Sequence, residues 1–261
     1  MEVHTHTHTP RKKSNHYFWE FLMLFLAVFC GFLAEYQLEH KIEKDRAKEL
    51  AKSFYQELKD DSATAVIKVK NRIKQEEAIG YLVKYFKDSN LTNLPKEFAL
   101  NFVYGISFRS PSVFEPRTII LEQLKNSGSL RYFKNDLLQK LVGDLTVTIK
   151  NIYDRQELET WNRAEYINPI IINHYDYDFD ARVKSGNTSI FDGIQKYEAG
   201  NEIIPYKIKG AGKLDREGII NVLSFYSANV ISSTRVTFFQ NYMELNTELL
   251  KELRKEYHIK N

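Results

Sequence analysis

Asp176, Asp178 and Asp180 are the acidic set with the clearest chemical meaning, because carboxylates spaced two apart open calcium-binding loops. The rest of such a loop is missing: Ala181 stands where the turn requires Gly, and Asn187 where a bidentate Glu would close the coordination shell. The same hexapeptide, Tyr175-Asp-Tyr-Asp-Phe-Asp180, alternates with period two. That pattern predicts a half-buried strand with the carboxylates on one face and Tyr175, Tyr177 and Phe179 on the other.

A second set, His4-Thr-His-Thr-His8, puts three imidazoles on one side of an extended chain. No carboxylate or thiolate stands beside it, so a solvated polar tail accounts for it more simply than a metal site. His16, His40, His174 and His258 are scattered and lack Glu-x-x-His spacing, which implies no zinc site. There is no Gly-x-Ser-x-Gly elbow, no Gly-rich phosphate loop, and Gly210-Ala-Gly212 reads as a turn. The single cysteine, Cys30, sits inside an apolar run. No catalytic, cofactor-binding or metal-ligating residue is assigned, and neither an enzyme nor a cofactor is expected.

What must position any site begins with that apolar run, Tyr17-Phe-Trp-Glu-Phe-Leu-Met-Leu-Phe-Leu-Ala-Val-Phe-Cys-Gly-Phe-Leu-Ala34. Eighteen residues of helix rise about 27 Å, close to the thickness of a bilayer's hydrocarbon core. Its only ionisable carboxylate is Glu20, and Phe21 to Ala34 is apolar on every face, whereas a surface helix of a soluble domain keeps a polar stripe. Tyr17, Trp19 and Tyr36 sit at its edges, where amphipathic rings favour the headgroup region. Residues 17–36 therefore read as a transmembrane helix whose partner is the lipid bilayer. A cleaved signal peptide would need small-x-small residues at the cut, and Phe29 is too large to precede a lipoprotein cysteine. Arg11, Lys12 and Lys13 cluster before the span, and Lys41, Lys44, Arg46, Lys48 and Lys52 follow it. Large domains cross membranes largely regardless of charge, so a cytoplasmic tail at 1–16 and an extracytoplasmic helical domain at 37–261 are expected.

Lys, Glu and Leu abound in that domain, and the whole chain has only 11 Gly and 6 Pro among 261 residues, the composition of long helices with few turns. Leu38, Ile42, Leu50, Phe54, Leu58, Ala65, Val69, Ile73 and Leu82 recur at helical spacing with no Pro or Gly between Phe32 and Ile79, so the span is expected to run on into a long first helix. Asp88 to Pro95 reads as a loop, 96–108 as a short amphipathic helix, and 117–126 as another that stops at a left-handed Gly128. Leu130, Phe133, Leu137, Leu141, Leu145, Thr148 and Ile152 mark a second long helix that Asn168-Pro169 should break or kink. Residues 170–213, punctuated by Gly186, Gly193, Gly200, Gly210 and Gly212, read as a small irregular or β insert rich in aromatic residues. Asp215 should cap a final helix of about 40 residues marked by Ile219, Leu223, Tyr226, Val230, Thr237, Met243, Leu250 and Leu253. The expected fold is mainly α: one membrane helix continuing into an elongated antiparallel bundle of three long and two short helices, with that insert.

Hydrophobic residues at 43 % and aromatics at 13 % exclude a disordered chain. The 37 basic residues are interleaved with 34 acidic ones, for a net charge of +3, and form no one-signed stripe of the kind nucleic acid requires.

Three stretches carry a resemblance. Val3-His-Thr-His-Thr-His-Thr-Pro-Arg-Lys-Lys13 with the following His16-Tyr-Phe-Trp-Glu-Phe-Leu-Met-Leu-Phe-Leu-Ala-Val-Phe-Cys-Gly-Phe-Leu-Ala-Glu35 resembles the opening of single-pass membrane proteins of the Bacteroidota. Phe54-Tyr-Gln-Glu-Leu-Lys-Asp-Asp-Ser62 and Leu121-Glu-Gln-Leu-Lys-Asn-Ser-Gly-Ser-Leu130 are similar to later parts of the same family. The likeness spans roughly residues 3–135 and implies an inner-membrane protein with a mostly helical body, without an established activity or catalytic residues to carry over. In that setting Asp61-Ser62-Ala63 resembles the short O-glycosylation acceptor of the phylum, and it reads equally as a solvated helix face.

Two functions are carried forward. The first is a membrane-anchored structural or interaction protein of the bacterial cell envelope, its partner an envelope protein or a second copy of itself. Gly31 gives only a weak signal for the latter. The second is an extracytoplasmic domain that senses or binds a small molecule and works through a partner subunit, which a closed pocket within the bundle would favour and a solidly packed seam would not.

Overall fold

The computed structural model of the chain describes residues 14–184 and 189–259. His4, His6 and His8, the Arg11-Lys12-Lys13 cluster, Gly186 and Asn187 lie outside the described residues. The described residues are helical almost throughout and contain no strand. Two compact units divide the chain, Met1–Leu50 and Ala51–Asn261.

α1 (Ser14–Asp88) is one uninterrupted helix of 75 residues, as the lack of helix breakers between Phe32 and Ile79 predicts. In the first unit no side chain between residues 15 and 42 is buried, and Leu24, Phe21 and Phe32 are each about two-thirds exposed. Phe21, Phe25 and Phe29, one turn apart, stack at 6.3 and 5.9 Å between ring centroids and form an aromatic stripe along one side. His16 Nε2 reaches Glu20 Oε1 at 3.0 Å one turn on, so the only carboxylate of the run is engaged near its end. This stretch is long and apolar enough to cross a membrane and has no protein packed around it.

The second unit is a helical bundle. Its long members are the later part of α1, then α4 (Asp136–Asn162) joined by a π turn to α5 (Asn168–His174), and finally α8 (Arg216–Phe225) joined by two π turns to α9 (Gln240–Tyr257). Leu58 meets Asn246, Asp61 meets Tyr242 and Glu76 meets Arg235, so the last helix runs antiparallel to α1. Asn135 meets Glu256 and Arg155 meets Thr234, so it runs antiparallel to α4 as well. The first and second long helices consequently point the same way. The chain returns between them through residues 89–135, which carry α2 (Lys96–Phe102), extended by a π turn at Val103–Ser107, and α3 (Ile119–Asn126).

Local signals set most of these ends. Asp215 Oδ1 accepts the Gly218 N–H at 3.0 Å and caps α8, and Asn135 Oδ1 does the same for α4 through Leu137 at 3.0 Å. Gly128 follows α3 with φ +69°, the left-handed residue expected at that stop. α4 starts at Asp136, later than Leu130 would suggest, because residues 129–132 form a tight 3₁₀ turn after Gly128.

Two sequence expectations need correction here. Asn168-Pro169 does not end the second long helix. The π turn Arg163–Ile167 precedes it, Pro169 falls in the first turn of α5 where no intrahelical N–H is needed, and the chain stays helical to His174. The insert at 170–213 has no β structure among its described residues: it consists of α5, α6 (Tyr177–Val183), α7 (Ile190–Ala199) and an extended return. Tyr175, Phe179 and Val183 are buried at spacing four, whereas Tyr177, which a strand would place beside them, is 55 % exposed. Helical packing against the core overrides the period-two pattern.

The core joins α1, α2, α5, α6, α7 and α8 around Phe98, Phe102, Tyr175, Phe179 and Tyr206, whose rings meet at 5.2–6.1 Å. Most aromatics of the insert are therefore core residues. Toward the start of the bundle, Phe114 packs edge-on against Phe239 at 5.5 Å and Tyr242 at 5.0 Å.

Candidate functional site

Two polar arrangements interrupt this apolar packing. The first is a row of charged and amide side chains buried along α1. Continuing the helical phase of Phe54, Leu58 and Ala65 leads to Asp61, Arg72, Gln75 and Ile79, all buried. Arg72 donates two hydrogen bonds to Glu159 of α4, at 2.8 and 2.9 Å, with its guanidinium 4.6 Å from the Phe239 ring centroid. Gln75 donates to Gly105 O at 3.0 Å and accepts from Ser112 Oγ at 2.9 Å, pinning the segment after α2. Gln156 spans Phe114 with both amide groups, at 2.8 and 2.9 Å.

Glu57 and Asp61 close the other end of this row. The start of α3 has no cap of its own, since Thr118 makes no side-chain cap bond. Glu57 supplies it from α1, accepting from Ile120 N at 3.0 Å and Leu121 N at 3.3 Å, while Asp61 Oδ2 accepts from Arg117 N at 2.9 Å and from the Tyr242 hydroxyl at 3.2 Å. Burial pushes the Asp61 carboxyl up to about 6, with the charge of Glu57 adding to it and the two hydrogen bonds opposing it. The nearby Tyr242 hydroxyl is pushed up by burial and by the Asp61 charge.

The second arrangement is a small cleft of about 100 Å³ formed by α1, the π turn after α2, and α7. Its walls are Tyr104, Phe108 and Phe191, with Tyr104 to Phe108 at 6.2 Å and Phe108 to Phe191 at 5.6 Å. Across it Lys74 Nζ lies 3.5 Å from the Tyr104 ring centroid and 2.9 Å from Glu198 Oε1, and the Tyr104 hydroxyl donates to Glu198 Oε2 at 2.6 Å. Burial pushes the Glu198 carboxyl up, but the hydrogen bonds from Tyr104 and Lys74 and the charges of Lys74 and Lys96 outweigh it and hold the group below the usual glutamate value.

The residues singled out in the sequence fall elsewhere. Asp176, Asp178 and Asp180 do not converge on a common point. Asp176 precedes α6 and pairs with Arg182 at 3.0 Å and Lys209 at 3.2 Å, Asp178 pairs with Lys209 at 2.8 Å, and Asp180 accepts from the Tyr175 hydroxyl. The trio is thus spent on cations and a phenol that staple α6 to the extended return. Ser62 lies in the middle of α1, and Asp61 beside it faces inward, so the folded chain does not offer Asp61-Ser62-Ala63 as an accessible loop. His174 Nδ1 sits 2.9 Å from Lys209 O. Among the described residues no group of three or more His, Cys, Asp or Glu could hold a metal ion.

Sequence reading missed both arrangements. The buried row had a signal: Asp61, Arg72 and Gln75 occupy the core phase of a helix otherwise apolar there. The cleft had none, because Lys74, Tyr104 and Glu198 come from three distant segments. No protein-family model, no curated protein and no solved structure matches the chain.

Proposed function

We propose that this protein is a single-pass membrane protein of a bacterial envelope whose helical body serves as an anchored interaction module. The observation that carries the reading is α1: between residues 15 and 42 it exposes bulky apolar side chains all round, and between 51 and 88 the same helix buries a continuous face in a packed bundle. Water would not tolerate the first stretch without a second solvent, and lipid is the solvent its length fits. The charge argument favours residues 1–16 inside and the body in the periplasm of an inner membrane.

A contact role for the body is supported by Trp161, Tyr166 and Phe225. These rings adjoin one another at 5.9 and 6.2 Å while remaining 55, 38 and 43 % exposed. Large aromatic side chains left at a surface are the usual anchors of protein contacts. They lie outside the aromatic insert, whose rings are mostly spent on the core. The seam along α1 is filled by Phe54, Leu58, Ala65 and Ile79 together with the paired polar residues, which speaks against a ligand cavity between the long helices.

Fractionation of cells expressing the full chain tests the anchor. The protein should stay with membranes through alkaline extraction and leave only in detergent, and removal of residues 17–36 should release it. A reporter fused after Asn261 should be active only outside the cytoplasm. Full-length protein that remains monodisperse in detergent-free buffer would overturn the reading.

A further inference from the structure

The cleft beside α7 carries its own ligand chemistry on display. Three aromatic rings and one carboxylate surround a space in which an ammonium group, that of Lys74, already sits between the Tyr104 face and Glu198. This is how organic ammonium groups are recognised: a ring face supplies the negative side of its quadrupole and a carboxylate supplies the counter-charge. Lys74 is held at its ammonium by the Tyr104 ring and Glu198. Its side chain is 47 % exposed, so the methylene stem can swing into solvent without disturbing α1.

We infer that the cleft is a binding site for a small primary ammonium group, and that Lys74 is its resident, displaceable occupant. Charge decides the class of ligand. With Lys74 swung out, Glu198 keeps the hydrogen bond from the Tyr104 hydroxyl, and Lys96 near it donates to Gly200 O at 2.6 Å. A cation takes the place of the Lys74 charge beside the carboxylate, whereas an anion would be repelled by it. Size decides the rest. With Lys74 in place the cleft leaves about 100 Å³ beside the ammonium, room on the scale of a short alkyl chain.

The floor is polar and already satisfied. Gln75 and Ser112 bond each other and the backbone below, leaving the ring faces and the carboxylate as the selective elements. The ammonium can arrive on a free alkylamine or on a lysine side chain of a polypeptide partner, since both present the same head group. The inference does not depend on the membrane reading, because every residue used lies in the unit Ala51–Asn261.

The test uses the full chain in nonionic detergent, titrated with propylammonium chloride and observed by saturation-transfer NMR and calorimetry. A four-heavy-atom cation should bind the Lys74→Met variant with a Kd on the order of 1 mM. It should bind the unaltered chain at least tenfold more weakly, because the tethered Lys74 competes at high effective concentration. Adding Glu198→Gln to Lys74→Met should cost a further tenfold or more, and sodium propionate should not bind either variant. Tyr104→Phe in the Lys74→Met background should stay within about threefold, since it keeps the ring, and Phe191→Ala, a half-exposed position, should weaken binding about threefold.

Nα-acetyl-lysine methylamide in place of propylammonium separates the sources. Tighter binding of the amide assigns the site to a polypeptide lysine, and equal or weaker binding assigns it to a free amine. Absence of saturable propylammonium binding to a Lys74→Met protein of unchanged circular dichroism, or binding indifferent to Glu198→Gln, would overturn the inference and leave Lys74 and Glu198 as a surface ion pair.

Discussion

Replacing Asp61 by Asn should make the body of this protein more stable at neutral pH, and less distinguishable from the original as the solution is acidified. Asp61 is 2 % exposed, and its carboxyl is raised from 3.8 to about 6, with burial as the main cause. The folded state therefore holds this proton more tightly than the unfolded chain does. The associated stability is fully present below pH 3.8, declines as pH rises, and is gone above about 6. Two pKa units at 1.36 kcal/mol each correspond to ~3 kcal/mol between those limits.

An amide carries no charge at any pH and keeps an oxygen for Arg117 N–H and the Tyr242 hydroxyl, so Asp61→Asn should recover about 1–3 kcal/mol at pH 8. Urea unfolding of the full chain in detergent, followed by circular dichroism from pH 4 to 8, reads this out. The midpoint should rise by about 1 M at pH 8, and the gap should narrow toward pH 4. An Asp61→Asn variant that is less stable than the original at pH 8, or a gap independent of pH, would show that burial does not oppose the Asp61 charge.

Breaking the interior pair should be costly in a way its replacement is not. Arg72→Met leaves Glu159 buried without a counter-charge and should lose about 3–5 kcal/mol, whereas Arg72→Met with Glu159→Met should regain most of it in the same urea assay. Gly193 and Gly143 should respond to alanine with opposite signs. A Cβ on Gly193 would stand 3.1 Å from the Val183 carbonyl oxygen and should cost about 1–2 kcal/mol, while on Gly143 it meets nothing within 4 Å inside α4 and should add about 0.5–1 kcal/mol. Asp215→Ala removes the cap bond to Gly218 and should lower stability by about 1 kcal/mol.

Much of the helical framework was legible because its signals are local. Apolar residues on every side of 17–36, the scarcity of Gly and Pro, the cap at Asp215 and the stop at Gly128 act within a turn or two of chain, and the structure follows each of them. What escaped reading depends on register between distant segments. Extending the phase of Val230 puts Thr237 on the core face, yet it is exposed and Thr234 is buried instead. The π turns Tyr226–Ser232 and Thr234–Phe239 each add a residue per turn, so the buried face advances to Phe239, Tyr242, Asn246 and Leu249. Leu38, Ile42 and Ile73 likewise share the helical spacing of α1 without being buried. Periodicity alone cannot say where a long helix has neighbours. The alternating residues 175–180 show the same limit, since what decided for helix was the fit of Tyr175 to Phe102, 73 residues away, and of Phe179 to Tyr197 and Tyr206, partners that lie outside the hexapeptide.

The polar pairings inside the bundle also fix its register. Tyr242 and Asn246 on the last helix and Glu159 on the second each meet one specific polar group on α1, and those groups are unevenly spaced. Sliding α1 by a single turn would take Asp61 from the Tyr242 hydroxyl and Arg72 from Glu159, leaving both charges buried without these partners. These contacts act as a key that admits one axial register of α1 against its two long neighbours.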